Sequence, residues 1–213
     1  MLRKLNLADN LLNELQHGLR TCHLRPPLQK RGYPANSITE AELSASEQKH
    51  AAGLMRVNNA GEVAAQGLYR GQAFSARSDS VRTAMKSAAD EENEHLNWCQ
   101  QRLSELDQKP SRLDGLWYWG SFSIGALAGV IGDRWSLGFV RETELQVSAH
   151  LEHHLSRLPV ADERSKIIIT TMKNDEMQHA INAQKAGAAN LPPFIKSLMR
   201  LTSKVMTFSA YRI

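Results

Sequence analysis

The sequence predicts an all-α fold, a four-helix bundle with a long crossover connection. Three observations carry this. Four stretches place their apolar residues at alternating spacings of four and three, the period of a helix that buries one face. Ser46 precedes one stretch and Ser78, Asp79 and Ser80 another as N-cap candidates, while Pro110, Pro159 and Gly187 lie just past the ends of three. Only 7 prolines interrupt 213 residues, 42% of them hydrophobic, which suits one domain with a real core and argues against a disordered chain.

The first stripe runs Met55, Asn58, Glu62, Ala65 and Tyr69. The second spans about Ser80 to Leu106 and reads Val81, Met85, Ala88, Glu92, His95, Cys99 and Leu106, with Arg102 its one interruption. The third is Leu137, Val140, Glu144, Val147, Leu151, His154 and Leu158, stopping at Pro159. The fourth, between about Asp162 and Ala186, is Ser165, Ile169, Met172, Glu176, His179, Ala183 and Ala186. Each stripe holds a carboxylate where a core residue belongs, and in the second and fourth the Glu is followed three residues later by His. Glu62 precedes Glu92 by 30 residues and Glu144 precedes Glu176 by 32, so the chain repeats one hairpin of a Glu helix and an ExxH helix. The 52 residues from Glu92 to Glu144 leave room for the crossover.

A single ExxH on a helix is usually a solvated pair. Two of them, each in phase with an apolar stripe and each preceded by a Glu at a near-equal interval, are not. Four buried carboxylates facing one another would raise each other's pKa strongly, whereas two divalent ions cancel their charge and two imidazoles complete the donor set. Carboxylate and imidazole donors suit iron or manganese, and no thiolate cluster points to zinc or an iron–sulfur centre. The pattern is that of the ferritin-like di-iron carboxylate bundles, a general case already described for this architecture. The predicted metal ligands are therefore Glu62, Glu92, His95, Glu144, Glu176 and His179. Tyr69 and Cys99 read as core packing, Asp90, Glu91 and Glu94 as a solvated face, and Asp175 as a group able to orient a ligand His. His150 and His154 lie six and ten residues after Glu144, roughly 9 and 15 Å along a helix, too far to share its metal.

Charge is segregated. The net +4 divides into six Lys/Arg against two acids in residues 1–31 and five Lys/Arg with no acid in residues 177–213, leaving an acidic middle. Cys22 and Cys99 show no metal-binding spacing, so a reduced, intracellular setting is expected, and Met1 to Thr21 has neither a long apolar run nor the acid-free composition of a targeting peptide. From Leu116 to Gly132 there are 17 residues without a charge, opening with Trp117, Tyr118 and Trp119 and holding Gly120, Gly125, Gly129 and Gly132. This is short for a spanning helix and reads as an interfacial or re-entrant segment, with a buried crossover helix as the rival. Phe194, Leu198, Leu201, Val205 and Phe208 share a helical face while Lys196, Arg200, Lys204 and Arg212 add positive charge, so the basic termini point to an anionic membrane surface and not to nucleic acid. The expected organisation is a basic N-terminal extension at 1–46, the bundle at 47–190 with a membrane-interacting crossover at 113–136, and a basic amphipathic segment at 191–213.

The motifs Arg56-Val-Asn-Asn-Ala-Gly-Glu62, Asp90-Glu-Glu-Asn-Glu-His95, Glu142-Thr-Glu144 and Asp175-Glu-Met-Gln-His179 resemble the demethoxyubiquinol hydroxylase family of ubiquinone biosynthesis over residues 47–213. The resemblance implies that Glu62, Glu92 and His95 bind one Fe2+ and Glu144, Glu176 and His179 the other, with Glu92 and Glu144 able to bridge. It also implies an O2-dependent monooxygenase that hydroxylates the ring of a polyprenylated quinol, with the reductant open between the substrate and a nicotinamide such as NADH. The family role of His150 is in reduction by substrate or nicotinamide, although Leu151 stands where eukaryotic members carry Tyr. Partners in a ubiquinone-biosynthesis complex and a peripheral place on the cytoplasmic side of the cell membrane follow from the same resemblance. The alternative is a ferroxidase or peroxide scavenger like ferritin or rubrerythrin, which would use the same six ligands without an organic substrate. The glycines Gly53, Gly61, Gly67 and Gly71 in the Glu62 helix each cost about 1 kcal/mol relative to Ala and call for close helix approach or a channel.

Overall fold

In the computed structural model, residues 6–24, 26 and 31–213 are described, and these form seven helices and no strand. Arg3, Lys4, Arg25 and Lys30, most of the positive charge of the predicted N-terminal extension, lie outside the described residues. The helices are α1 (Leu7–His23), α2 (Ala45–Ser75), α3 (Asp79–Glu105), α4 (Asp114–Ile131), α5 (Asp133–Leu155), α6 (Glu163–Lys185) and α7 (Pro193–Ala210). The four that carry the stripes, α2, α3, α5 and α6, make the bundle.

The helix ends follow local chemistry. Helix α2 starts at Ser44, not Ser46, because Ser44 and Glu47 form a reciprocal capping box that satisfies two backbone N–H groups. The Ser78 hydroxyl accepts from Val81 N at the start of α3, and Asp162 caps α6 through Ser165 N. Gly187, with φ +93°, and Asp107, with φ 54°, take the left-handed conformation that stops α6 and α3.

Helix α3 runs antiparallel to α2, with Gln48 Nε2 donating to the Leu106 carbonyl (3.1 Å) at one end and Gln66 bonded to the Ala89 carbonyl further along. Helix α6 faces α3 in the same sense, since Arg102 Nε meets Ser165 Oγ (2.9 Å) and Cys99 Sγ meets Met172 Sδ (3.8 Å). Helix α5 joins α2 through Gln72 Nε2 to the Ser136 carbonyl (2.8 Å) and His154 Nδ1 with Asn58 Oδ1 (2.8 Å). Arg102, the one break in its stripe, is wholly buried and tied to Glu40, Glu105 and Asp162, so an ion-pair network holds a place where the stripe lacks an apolar residue.

Helix α4 is the crossover. It does not turn back as a hairpin but runs as one helix parallel to α2, so close that a Cβ on Gly67 would strike the Tyr118 carbonyl oxygen and one on Gly71 that of Phe122. Gly125 presses in turn against the Leu68 carbonyl. Here a small-residue seam permits backbone contact that any side chain would forbid, which accounts for two of the four α2 glycines. Gly132, with φ +145°, then lets the chain turn directly into α5. No helix of the described residues is long and apolar enough to cross a membrane. Yet α4 leaves Leu116, Ile124, Leu127, Val130 and Ile131 exposed, and the apolar stripe of α7 faces outward, with Phe194, Leu198, Leu201, Val205 and Phe208 each 56–70% exposed.

Two hydrophobic clusters fill the bundle. One gathers Met55, Cys99, Leu151 and Met172, the other Tyr69, Met85, Val140 and Ala183, so Tyr69 and Cys99 are core residues as expected. Between these clusters lies a layer of buried carboxylates.

Candidate metal centre

All six predicted ligands meet in that layer. Two sets of donor atoms lie within 4.8 Å of one another, one from Glu62, Glu92, His95 and Glu176 and the other from Glu92, Glu144, Glu176 and His179. Glu92 and Glu176 belong to both sets, whereas the family resemblance implied Glu92 and Glu144 as the shared pair. The reason is geometric: α3 and α6 are antiparallel, so their ExxH glutamates face each other across the centre, while Glu62 and Glu144 approach from opposite flanks.

Each His turns Nδ1 inward and Nε2 outward. His95 Nδ1 lies 3.0 Å from Glu92 Oε2, 3.0 Å from Glu176 Oε1 and 3.7 Å from Glu62 Oε2. His179 Nδ1 lies 3.2 Å from Glu176 Oε2 and 3.3 Å from Glu92 Oε1. Outside, His95 Nε2 meets Asp175 Oδ2 at 3.0 Å and His179 Nε2 meets Glu91 Oε2 at 3.0 Å. The brace is crossed: the acid just before each ExxH glutamate holds the histidine of the other helix. Asp175 therefore orients a ligand candidate as read from the sequence. The sequence reads Glu91 and Glu94 as a solvated face; Glu91 is exposed and holds His179 as well, whereas Glu94 is buried and paired with Arg31. The signal for Glu91 was present, an acid at the same place in both ExxH motifs.

The protein alone settles these charges by sharing protons. Burial, together with the neighbouring carboxylates, pushes Glu62 and Glu144 well above the usual range. Burial acts the same way on Glu92, but its bonds with His179 and His95 outweigh it and hold that carboxyl low. Burial alone would lower His179, but its carboxylate partners push it up to about 12, and His95 is raised likewise. Glu144 Oε1 is buried with no hydrogen-bond partner. A buried carboxyl oxygen without a partner, in one of two adjoining quartets of hard donors, fits a pair of divalent cations, which would displace the protons and neutralise the layer.

A cavity of about 340 Å³ opens onto this layer between α2, α4, α5 and α7. Glu62 and His150 lie in its wall with Asn58, Thr143 and Gln146, and most of the rest is apolar, including Leu68, Trp117, Ile124 and Met206. Gly61 lines it too, where a side chain would meet nothing within 4 Å, so this third glycine borders open space. The fourth, Gly53, seats the Tyr211 ring, whose hydroxyl meets His50 Nδ1 at 2.7 Å. Burial lowers His150 to about 4, so the ring is neutral, and its Nε2 has no partner. His154 is buried behind it with ring centroids 3.9 Å apart.

The family model described as ubiquinone biosynthesis protein COQ7 matches residues 49–210. A 3-demethoxyubiquinol 3-hydroxylase of Chromobacterium violaceum is 53% identical over 207 residues, covering 97% of this chain and all of the relative. Relatives of the same name from Nitrosococcus oceani (52% over 211 residues, 99% of each chain) and Legionella pneumophila strain Paris (50% over 213 residues, all of both) are similar throughout. With a carboxylate and histidine layer between two core clusters, a cavity leading to it, and this match along its length, the chain belongs to the COQ7 family of ubiquinone biosynthesis proteins.

Proposed function

We propose that this chain is a 3-demethoxyubiquinol 3-hydroxylase, a di-iron monooxygenase acting on a polyprenylated quinol. The observation that carries the reading is the apolar cavity ending on Glu62 and His150, beside a layer able to hold two metal ions. Glu62, Glu92, His95, Glu144, Glu176 and His179 would hold two Fe2+, with Glu92 and Glu176 shared. The iron pair, when bound, supplies the activation of O2, of which one atom enters the ring and the other leaves as water, with two electrons drawn from a reductant such as NADH. A ferroxidase would have no use for the cavity.

The chain's own residues do the rest. The cavity walls exclude water and hold the ring against the centre. His150 is neutral with a free Nε2, so it can accept a hydrogen bond from a quinol hydroxyl and orient the ring. Asn58, bonded to His154, fixes the pair of rings behind it.

A polyprenyl substrate partitions into lipid, and the outward apolar faces of α4 and α7 flank the cavity. Both helices would lie on an anionic membrane surface at the cytoplasmic side of the cell membrane, with Arg200 and Lys204 at headgroup level. Purified protein loaded anaerobically with Fe(II), mixed with a demethoxyquinol analogue and exposed to heavy-isotope O2, should yield a quinol carrying one labelled oxygen. Iron oxidation without a labelled product would replace this reading with a ferroxidase.

A further inference from the structure

The two histidine braces are alike in their acids but not in what stands behind them. Glu91, which holds His179, is 56% exposed at its side chain and accepts otherwise from the Ser87 hydroxyl. Asp175, which holds His95, is gripped from behind by Arg31, whose Nη1 lies 2.8 Å from the same Oδ2 that meets His95 Nε2. The Arg31 guanidinium also pairs through Nε with Glu94, and the Arg31 backbone N–H donates to Glu94 Oε1 at 3.3 Å. Its Cζ sits 5.0 Å over the Trp98 ring, which in turn lies 5.3 Å from the His95 ring. Arg31 precedes the bundle in the chain, so a residue from outside the four helices braces one ligand candidate along two routes, by hydrogen bond through Asp175 and by packing through Trp98. His179 has neither.

We propose that Arg31 is a positioning residue that makes the two metal positions unequal, so that the ion held by Glu62 and His95 binds first and is retained longest. The inference rests on the metal reading above. A ligand imidazole gains affinity when its outer N–H is held by a fixed acceptor, and loss of such a partner typically costs 10- to 100-fold in metal binding. Arg31 holds Asp175 through Nη1 while its Nε holds Glu94, two bonds that a planar fork makes together and the point charge of a lysine does not.

The test is anaerobic Fe(II) titration of the metal-free full chain, with isotopically enriched iron read by Mössbauer spectroscopy at each addition. The parent should bind in two steps of unequal affinity, filling one spectral component before the other. Arg31→Gln should weaken the first step about tenfold and alter that component alone, whatever it costs the metal-free fold through the loss of the Glu94 pair. Arg31→Lys should recover only part of the loss, and Glu91→Gln should weaken the second step instead. Equal steps in the parent, or an Arg31→Gln protein in which neither step or both steps change, would overturn the inference while leaving the metal reading standing. A parent that bound no iron would overturn both.

Discussion

The α2–α3 and α5–α6 hairpins carry the same chemistry at almost the same spacing, yet they are not in the same surroundings. The first is overlaid by the crossover helix, by α7 and by the segment holding Arg31, and its His95 side chain is 1% exposed; the second leaves His179 15% exposed under an acid that faces water. Helix α2 bears the cost of this in glycines at the α4 seam, a burden that α5 and α6 do not share. Both halves reach the cavity, the first through Gly61 and Glu62 and the second through Thr143 and His150, but only the first carries the glycine seam and the doubly braced histidine. A repeat specifies ligands; what packs on the repeat specifies access.

The most severe way to break both halves together is to remove a shared carboxylate. Glu176→Ala should abolish iron binding at both positions and activity by more than about a thousandfold, whereas Glu144→Ala should leave one iron on the His95 side; metal analysis per chain separates the two. If Glu144→Ala instead empties both positions, Glu144 is the bridge and the geometric pairing of Glu92 with Glu176 is wrong.

Acid should uncouple the ions from both halves. Glu62, Glu144, His95 and His179 all hold protons more tightly in the metal-free fold than in isolation, and metal must displace them. Affinity should therefore rise with pH, by about tenfold per pH unit for each proton released. Titration of Fe(II) into weakly buffered protein should release protons, and no net release at neutral pH would contradict these raised values.

The glycine seam offers a smaller contrast within one helix. Gly67→Ala forces a methyl into the Tyr118 backbone and should destabilise the chain by about 1–3 kcal/mol in denaturant unfolding. Gly61→Ala meets no atom within 4 Å and should be neutral or stabilising by up to about 1 kcal/mol, while raising KM because it narrows the cavity. The smallest effect belongs to the surface. Arg200→Glu with Lys204→Glu should weaken binding to anionic vesicles by about 1 kcal/mol or more per position without altering iron content. Retained vesicle binding would remove α7 from the docking face.

Periodicity made the bundle legible, because a stripe of Leu, Met and Ala at helical spacing has few ways to be buried, and Glu and His within it stand out as chemistry. The crossover was harder to read. Its run of uncharged residues and glycines is compatible with a hairpin in lipid as much as with a helix on protein, and only the matching glycines of α2 and α4, nearly sixty residues apart for Gly67 and Gly125, distinguish the two once they are seen face to face. Arg31, Glu91 and Glu94 were hidden for a related reason: a charged side chain looks solvated in a sequence whenever its partner is distant, and the partners here lie 63 to 144 residues away.

The sequence by itself determined the helical class, the four stripes and the six candidate ligands that meet between them, since these follow from local periodicity and from the cost of burying unpaired carboxylates. Tertiary structure decided which glutamates are shared, which histidine is braced twice, and that the apolar face of α7 looks away from its own bundle while its small polar face, Thr202, Ser203 and Thr207, looks into the cavity. Those outcomes depend on the relative placement of helices far apart in the chain, and no spacing within one helix encodes them.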